Sequence, residues 1–252
     1  MIKFAFISPI GFQEEAMKES DIHLALAHIK NKTYIEMFAN REDNKLLILD
    51  NGAYENGKPI DDFELLDLGA EFKADILVAP DYPGELWSEN VRKQLAFYDL
   101  AKQAGFDVMF VPHSIKGDLD GYMRAYTIFK NCMDTEKDLI GISILGAPNA
   151  LPNVPRSFAR WHILKSIDKL SKHTKHIHML GLLDTPYEVA LCNQFEHLIY
   201  SWDSSQPVWA GYMGLNIKEI TDKEILPKVD FELLWYHDLC KINIEIFKKE
   251  IL

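Results

Sequence analysis

The chain has 252 residues, a formal net charge of −11, and a composition that is 48% hydrophobic and 12% aromatic. That much apolar material builds a globular interior and excludes a disordered chain, and the length suits one large core. The acidic balance speaks against a general nucleic-acid binder, because phosphates are gripped by Lys and Arg, unless basic residues gather on one face.

Residues 3–7 form a short apolar run. It reads as a first strand rather than a leader, since no small-residue cleavage site follows it. Helical spacing covers residues 14–29. A second apolar run, 46–50, ends in Asp50 and a turn, and 61–72 has helical spacing again. The alternation continues with strand 76–79, helix 86–104, strand 108–112, helix 119–133, strand 139–144, helix 156–171, strand 177–181, helix 186–193 and strand 198–202. The run 208–212 is a candidate eighth strand, although the residues after Trp202 do not form a clean β/α unit. Helical spacing returns over 231–251. The strands are continuous apolar runs, as expected where both faces are buried in a parallel sheet. Strand–helix alternation in one stretch of 252 residues predicts a single-domain α/β fold, a (β/α)8 TIM-like barrel. A doubly wound open sheet is the alternative, but no Gly-x-Gly-x-x-Gly turn follows the first strand.

No apolar run reaches 18 residues, so no membrane span is expected. Cys132, Cys192 and Cys240 are widely spaced and fit a reducing, cytoplasmic setting. Two metal-like patterns exist, His176-x-His178 and His237 with Cys240. Neither has the further partners that a zinc site needs, so no metal and no cofactor are expected.

In barrels, catalytic side chains project from the C-terminal ends of the strands. Three such ends deliver an aspartate: Asp50, Asp81 and Asp203. Each could be an ordinary turn or helix-capping residue. Together they form a set that could act at an anomeric carbon, one carboxylate attacking the sugar while a second, protonated group assists the leaving group. Neighbouring carboxylates push their pKa values apart, which keeps one of them neutral.

These residues resemble a known family. Asp50-Asn51-Gly52-Ala53-Tyr54-Glu55 is similar to the Asp-Ser-Gly-Gly-Phe-Gln motif of the tRNA-guanine transglycosylases and their DNA-modifying relatives, the DpdA-type 7-deazaguanine DNA transglycosylases of phages and bacteria. Asp81 in Val-Ala-Pro-Asp-Tyr-Pro resembles the family's base-reading aspartate. Gly141-Ile142-Ser143-Ile144-Leu145-Gly146 is similar to its Gly-Gly-Leu-Ala-Val-Gly element. The segment Met179-Leu180-Gly181-Leu182-Leu183-Asp184-Thr185-Pro186 resembles Leu-Met-Gly-Val-Gly-x-Pro, and Trp202-Asp203-Ser204 resembles the Phe-Asp-Cys nucleophile segment. The matches run in order from about residue 46 to 214.

The resemblance implies exchange of guanine for a 7-deazaguanine base on nucleic acid. Asp203 would be the covalent nucleophile and Asp50 the acid/base partner. Asp81 would bind the donor edge of the base, Tyr54 would stack on its face, and the Leu145, Gly146 and Gly181 region would contact it. The family's zinc-binding Cys-x-Cys-x-x-Cys is missing, Glu55 replaces Gln, Ser204 replaces Cys, and His113 stands where the family has a glutamine after the fourth strand. His113 is therefore a candidate base reader or a plain turn histidine. The loose motifs and short chain point to DNA over tRNA as the acceptor.

Arg156, Arg160, Lys165, Lys169, Lys172 and Lys175 form the strongest basic stretch. It reads either as a solvated helix face or as a phosphate-tracking patch led by Arg156 and Arg160. Trp202, beside Asp203, is a candidate pocket wall. The alternative function is a small-molecule nucleoside or sugar hydrolase in which the same carboxylates activate water. A catalytically silent barrel that only binds is a third reading.

Overall fold

The computed structural model describes residues 2–170, 175–182, 187–220 and 230–250. Eight strands alternate with helices in chain order. The strands are β1 (Lys3–Phe6), β2 (His23–Leu26), β3 (Leu47–Asp50), β4 (Ile76–Val78), β5 (Asp107–Phe110), β6 (Leu139–Ser143), β7 (Ile177–Leu180) and β8 (Ile199–Ser204). The helices are α1 (Ile10–Glu19), α2 (Lys32–Ala39), α3 (Ala53–Asn56), α4 (Asp62–Phe72), α5 (Trp87–Gln103), α6 (Leu119–Cys132), α7 (Gly146–Ala150), α8 (Arg156–Leu170), α9 (Tyr187–Cys192), α10 (Gln206–Tyr212) and α11 (Leu239–Glu250).

All the strand pairs are parallel, in the order β1-β8-β7-β6-β5-β4-β3-β2. The fold is thus a nearly closed (β/α)8 TIM-like barrel. The seam lies between β1 and β2, where side chains replace the ladder. The Phe4 N–H donates to Asp21 Oδ2 at 3.0 Å and the Phe6 N–H to Ser20 Oγ at 2.9 Å. The Asp21 N–H returns a bond to the Phe4 carbonyl at 2.9 Å. Buried backbone donors need partners, and here they find them in the turn before β2.

Local chemistry explains the element boundaries. Asp61 accepts from the N–H groups of Phe63 and Glu64 at the start of α4, Asn31 caps α2 in the same way, and Asp118 accepts from Gly121 N–H in the first turn of α6. These side chains satisfy first-turn donors that have no partner within the helix. Strand side chains such as Leu47, Ile48, Leu49, Val108, Met109 and Phe110 are fully buried.

Three expectations need correction. The helix predicted over residues 14–29 ends at Glu19, and the missed strand β2 follows it. Residues 208–212, the candidate eighth strand, belong to helix α10, so β2 completes the count of eight. The helical spacing over 231–251 is helix only from Leu239; residues 231–236 run as an irregular strap. Its Phe231 and Leu233 carbonyls accept the first N–H groups of α1, from Ile10 at 2.9 Å and Gly11 at 2.8 Å. The approach is so close that a β-carbon on Gly11 would lie 2.3 Å from the carbonyl carbon of Leu234. Among the described residues, no helix is long and apolar enough to cross a membrane.

Candidate active site

The loops that follow the strands carry the functional candidates. Asp50 ends β3, and Gly52, at φ +74°, turns the chain so that its N–H donates to Asp50 Oδ2 at 2.9 Å. Between them Asn51 is buried and works as a brace. Its side-chain amide donates to the Ala79 carbonyl at 2.8 Å and to Asp81 Oδ1 at 2.7 Å, and its oxygen accepts from the Ala53 N–H at 2.8 Å. The other Asp81 oxygen meets His113 Nε2 at 2.5 Å. Asp81 and His113 are therefore one unit joining the ends of β4 and β5, and the imidazole edge expected to read a base is occupied by the carboxylate.

His113 is fully buried, and its Nδ1 has no hydrogen-bond partner among the described residues. The Gly146 backbone lies against it. A β-carbon there would come within 3.0 Å of Nδ1 and 2.7 Å of the Pro112 carbonyl oxygen, so the position needs glycine. The Gly146 N–H is held by Ser143 Oγ at 2.8 Å. Leu145, half-buried, stands just before α7.

On the opposite arc of the barrel, Asp203 is 4% exposed and, among the described residues, is held through Oδ1 alone. His178 Nε2 lies 2.9 Å from that oxygen, and the Gly181 N–H donates to it at 3.1 Å. Gly181 adopts φ +71°, in the region that favours glycine, and this conformation aims its N–H at the carboxylate. Its carbonyl accepts from Trp202 Nε1 at 2.7 Å and Arg160 Nη2 at 2.9 Å.

The two arcs share an electric field. Burial raises the Asp50 carboxyl well above the ordinary carboxylate range, and the negative charge of Glu55 raises it further. The Gly52 N–H opposes the shift, while Asp81 and Asp203 add to it. A carboxyl crowded by three others keeps its proton to higher pH than a free one, because ionising would add a like charge in a poorly solvated place. His28, which follows β2, faces Glu55 at 3.8 Å, and the Phe231 ring of the strap stands edge-on to His28 at 6.1 Å. Tyr54, on α3, is 59% exposed.

Other sequence candidates fall elsewhere. Arg160 does not lie on a phosphate-facing surface. It is fully buried, pairs with Glu188 through bonds of 2.7 Å to each carboxylate oxygen, and also reaches the carbonyls of Leu180 and Gly181. Arg156, one turn earlier, is exposed. Lys165 and Lys169 are exposed toward the far end of α8, away from the strand C-termini, and Lys172 lies outside the described residues. Trp202 does not wall the pocket. Ser201 and Asp203 both meet His178 inside the barrel, so alternation turns Trp202 outward, where its ring packs 5.1 Å from the Arg160 guanidinium. His176 and His178 part company as well. His176 meets Tyr126 and Lys130 of α6, whereas His178 points inward. Among the described residues, no group of three or more His, Cys, Asp or Glu side chains is arranged to hold a metal ion. Leu183, Asp184, Thr185 and Pro186 of the motif after β7 lie outside the described residues.

Sequence reasoning missed Asn51 as a brace and Ser201 and His178 as partners of Asp203. The signal for His178 was present as an inward strand position one strand away from Asp203, which only the β7–β8 pairing makes visible. Neither a scan against protein-family models nor a search of curated proteins found a match for this chain.

Proposed function

We propose that the protein is a transglycosylase that exchanges guanine for a 7-deazaguanine base on nucleic acid, with DNA the preferred acceptor. The observation that carries this reading is the division of labour among its carboxyl groups. Asp50 is pushed toward its neutral form, while Asp203 is held by an N–H donor and an imidazole at the same end of the barrel. Base exchange at an anomeric carbon needs that pair, an acid and a carboxylate nucleophile.

In the first half-reaction a bond forms from Asp203 to C1′ as the glycosidic bond breaks, and the Asp50 proton passes to the departing guanine. In the second, the incoming base loses its N9 proton to Asp50 and its nitrogen displaces Asp203 from C1′. The Asp81–His113 unit, braced by Asn51, supplies acceptor oxygens for the donor edge of the base, and Tyr54 offers a face for stacking, as enzymes acting on an extruded base require.

The test is to withhold the incoming base. Wild-type protein should then accumulate as a covalent adduct with guanine-containing DNA, while Asp203→Asn should bind the polymer and form none. An adduct of equal yield in Asp203→Asn would refute the assignment. The burial of Arg160 removes one expected phosphate contact, which favours a nucleoside or sugar hydrolase as a second reading. That enzyme would release free base or sugar with solvent oxygen at C1′ and take up no labelled guanine into the polymer.

A further inference from the structure

Among the described residues, Asp203 is approached from one side only. The Oδ1 atom receives the Gly181 N–H at 3.1 Å and faces His178 Nε2 at 2.9 Å, whereas no hydrogen bond from the described residues engages Oδ2. The imidazole has a second contact, from Nδ1 to Ser201 Oγ at 2.7 Å. His178 and Ser201 are both fully buried, so water does not compete for either ring nitrogen. Ser201 is on β8, two residues before Asp203, and is His178's direct partner in the ladder. A single ring therefore spans two successive inward positions of the neighbouring strand.

We propose that His178 is a positioning residue for Asp203. Ser201 donates its hydroxyl proton to Nδ1, which fixes the neutral ring in the Nε2–H tautomer, and Nε2–H then pins Oδ1 so that Oδ2 is the oxygen presented to the sugar carbon. Of the two neutral tautomers, the opposite one would set a nitrogen lone pair against the Asp203 carboxylate. A ring protonated on both nitrogens would turn Ser201 into an acceptor, and imidazole ¹⁵N spectra separate that state from the one proposed. Gly181 supports the arrangement from behind. Its N–H shares a peptide plane with the Leu180 carbonyl, which Arg160 Nη1 holds at 2.9 Å, and Trp202 and Arg160 anchor the next carbonyl, so the N–H stays aimed at Oδ1. An attacking atom needs such fixing, since misplacement by about 1 Å can cost on the order of 10²-fold in rate.

Only the kinetic arm of the test rests on the base-exchange reading. In the first arm, imidazole ¹⁵N spectra of labelled protein locate the His178 signal as the one absent from His178→Gln. The expected result is a protonated Nε2 and an unprotonated Nδ1 at neutral pH, with the tautomers mixing in Ser201→Ala. A protonated Nδ1 in the wild type would overturn the proposal whatever the protein catalyses. In the second arm, the rate of adduct formation with guanine-containing DNA is compared between two amides. Gln extends an N–H toward the position of Nε2, whereas Asn stops near Nδ1. His178→Gln should stay within about tenfold of wild type and His178→Asn should fall by about 10²-fold, with the DNA dissociation constant unchanged in both. Equal rates for the two amides would overturn it, because only Gln carries an N–H as far as Oδ1, while the tautomer arm excludes a role in packing alone. If the wild type itself forms no adduct, the base-exchange reading fails, and the tautomer arm alone decides the placement of Asp203.

Discussion

Removing the guanidinium of Arg160 separates two roles that the sequence leaves open. Arg160→Met keeps much of the side-chain volume but deletes the cation. Glu188, 2% exposed, would then be a carboxylate without its bidentate partner, and the Leu180 carbonyl would lose a donor. Breaking a buried pair from one side costs about 3–5 kcal/mol, against a total stability of roughly 5–15 kcal/mol for a domain. Urea unfolding should show that loss as a lower midpoint at unchanged slope. The double variant Arg160→Met/Glu188→Leu removes both charges and should recover much of the loss, leaving the Leu180 carbonyl without its Arg160 donor. A phosphate contact behaves differently. It would leave stability near wild type and lower the slope of log K against log salt by about 0.9 for DNA. Destabilisation below about 1 kcal/mol together with a reduced salt slope would refute the assignment of Arg160 to the interior.

Asp50→Asn should slow base exchange by about 10²–10⁴-fold, the usual contribution of one positioned proton donor, in a single-turnover assay with labelled guanine. Glu55→Gln should shift the pH profile. Glu55 raises the Asp50 carboxyl, so its removal lowers that pKa; a reaction that needs protonated Asp50 then loses activity at lower pH, moving the alkaline limb of kcat downward. An alkaline limb that stays in place would sever Asp50 from the acid role. Gly11→Val should push the strap off the start of α1, because the added β-carbon meets the backbone of Leu234; faster amide exchange at Ile10 and Gly11 would report it, and unchanged protection would contradict the close approach.

Seven strands are legible because each is an uninterrupted apolar run closed by a turn, and their ends point to Asp50, Asp81 and Asp203 without any knowledge of the third dimension. The strand β2 is not legible. His23-Leu24-Ala25-Leu26 is four residues long and follows a helix with no glycine or proline between them, so the helical period runs straight through it. Residues 208–212 mislead in the opposite direction, being apolar enough for a strand while folding as a buried helix. The finer parts of the site depend on partners far apart in the chain. His178 acquires meaning from Ser201 and Asp203, and Arg160 from Glu188 on another helix. A linear reading ranks an arginine as surface and, once a metal role is set aside, leaves a histidine two residues from another without a task, since it cannot see which carboxylate comes to meet it.

The seam between β1 and β2 has a consequence for synthesis. The first strand forms its ladder only with the last, as Lys3 pairs with Ser201 and Phe6 with Ser204, and on its other side it meets side chains of a turn rather than a strand. At about 5–20 residues per second, ribosomal elongation leaves that opening segment without its ladder for roughly 10–40 s after it emerges. Throughout that interval β2 to β7 can assemble in succession, each strand on the one before, while the Phe4 and Phe6 side chains lack Phe247 of α11, the ring on which both pack. The emerging chain therefore offers chaperones a sticky β1 segment until β8 and α11 have left the ribosome.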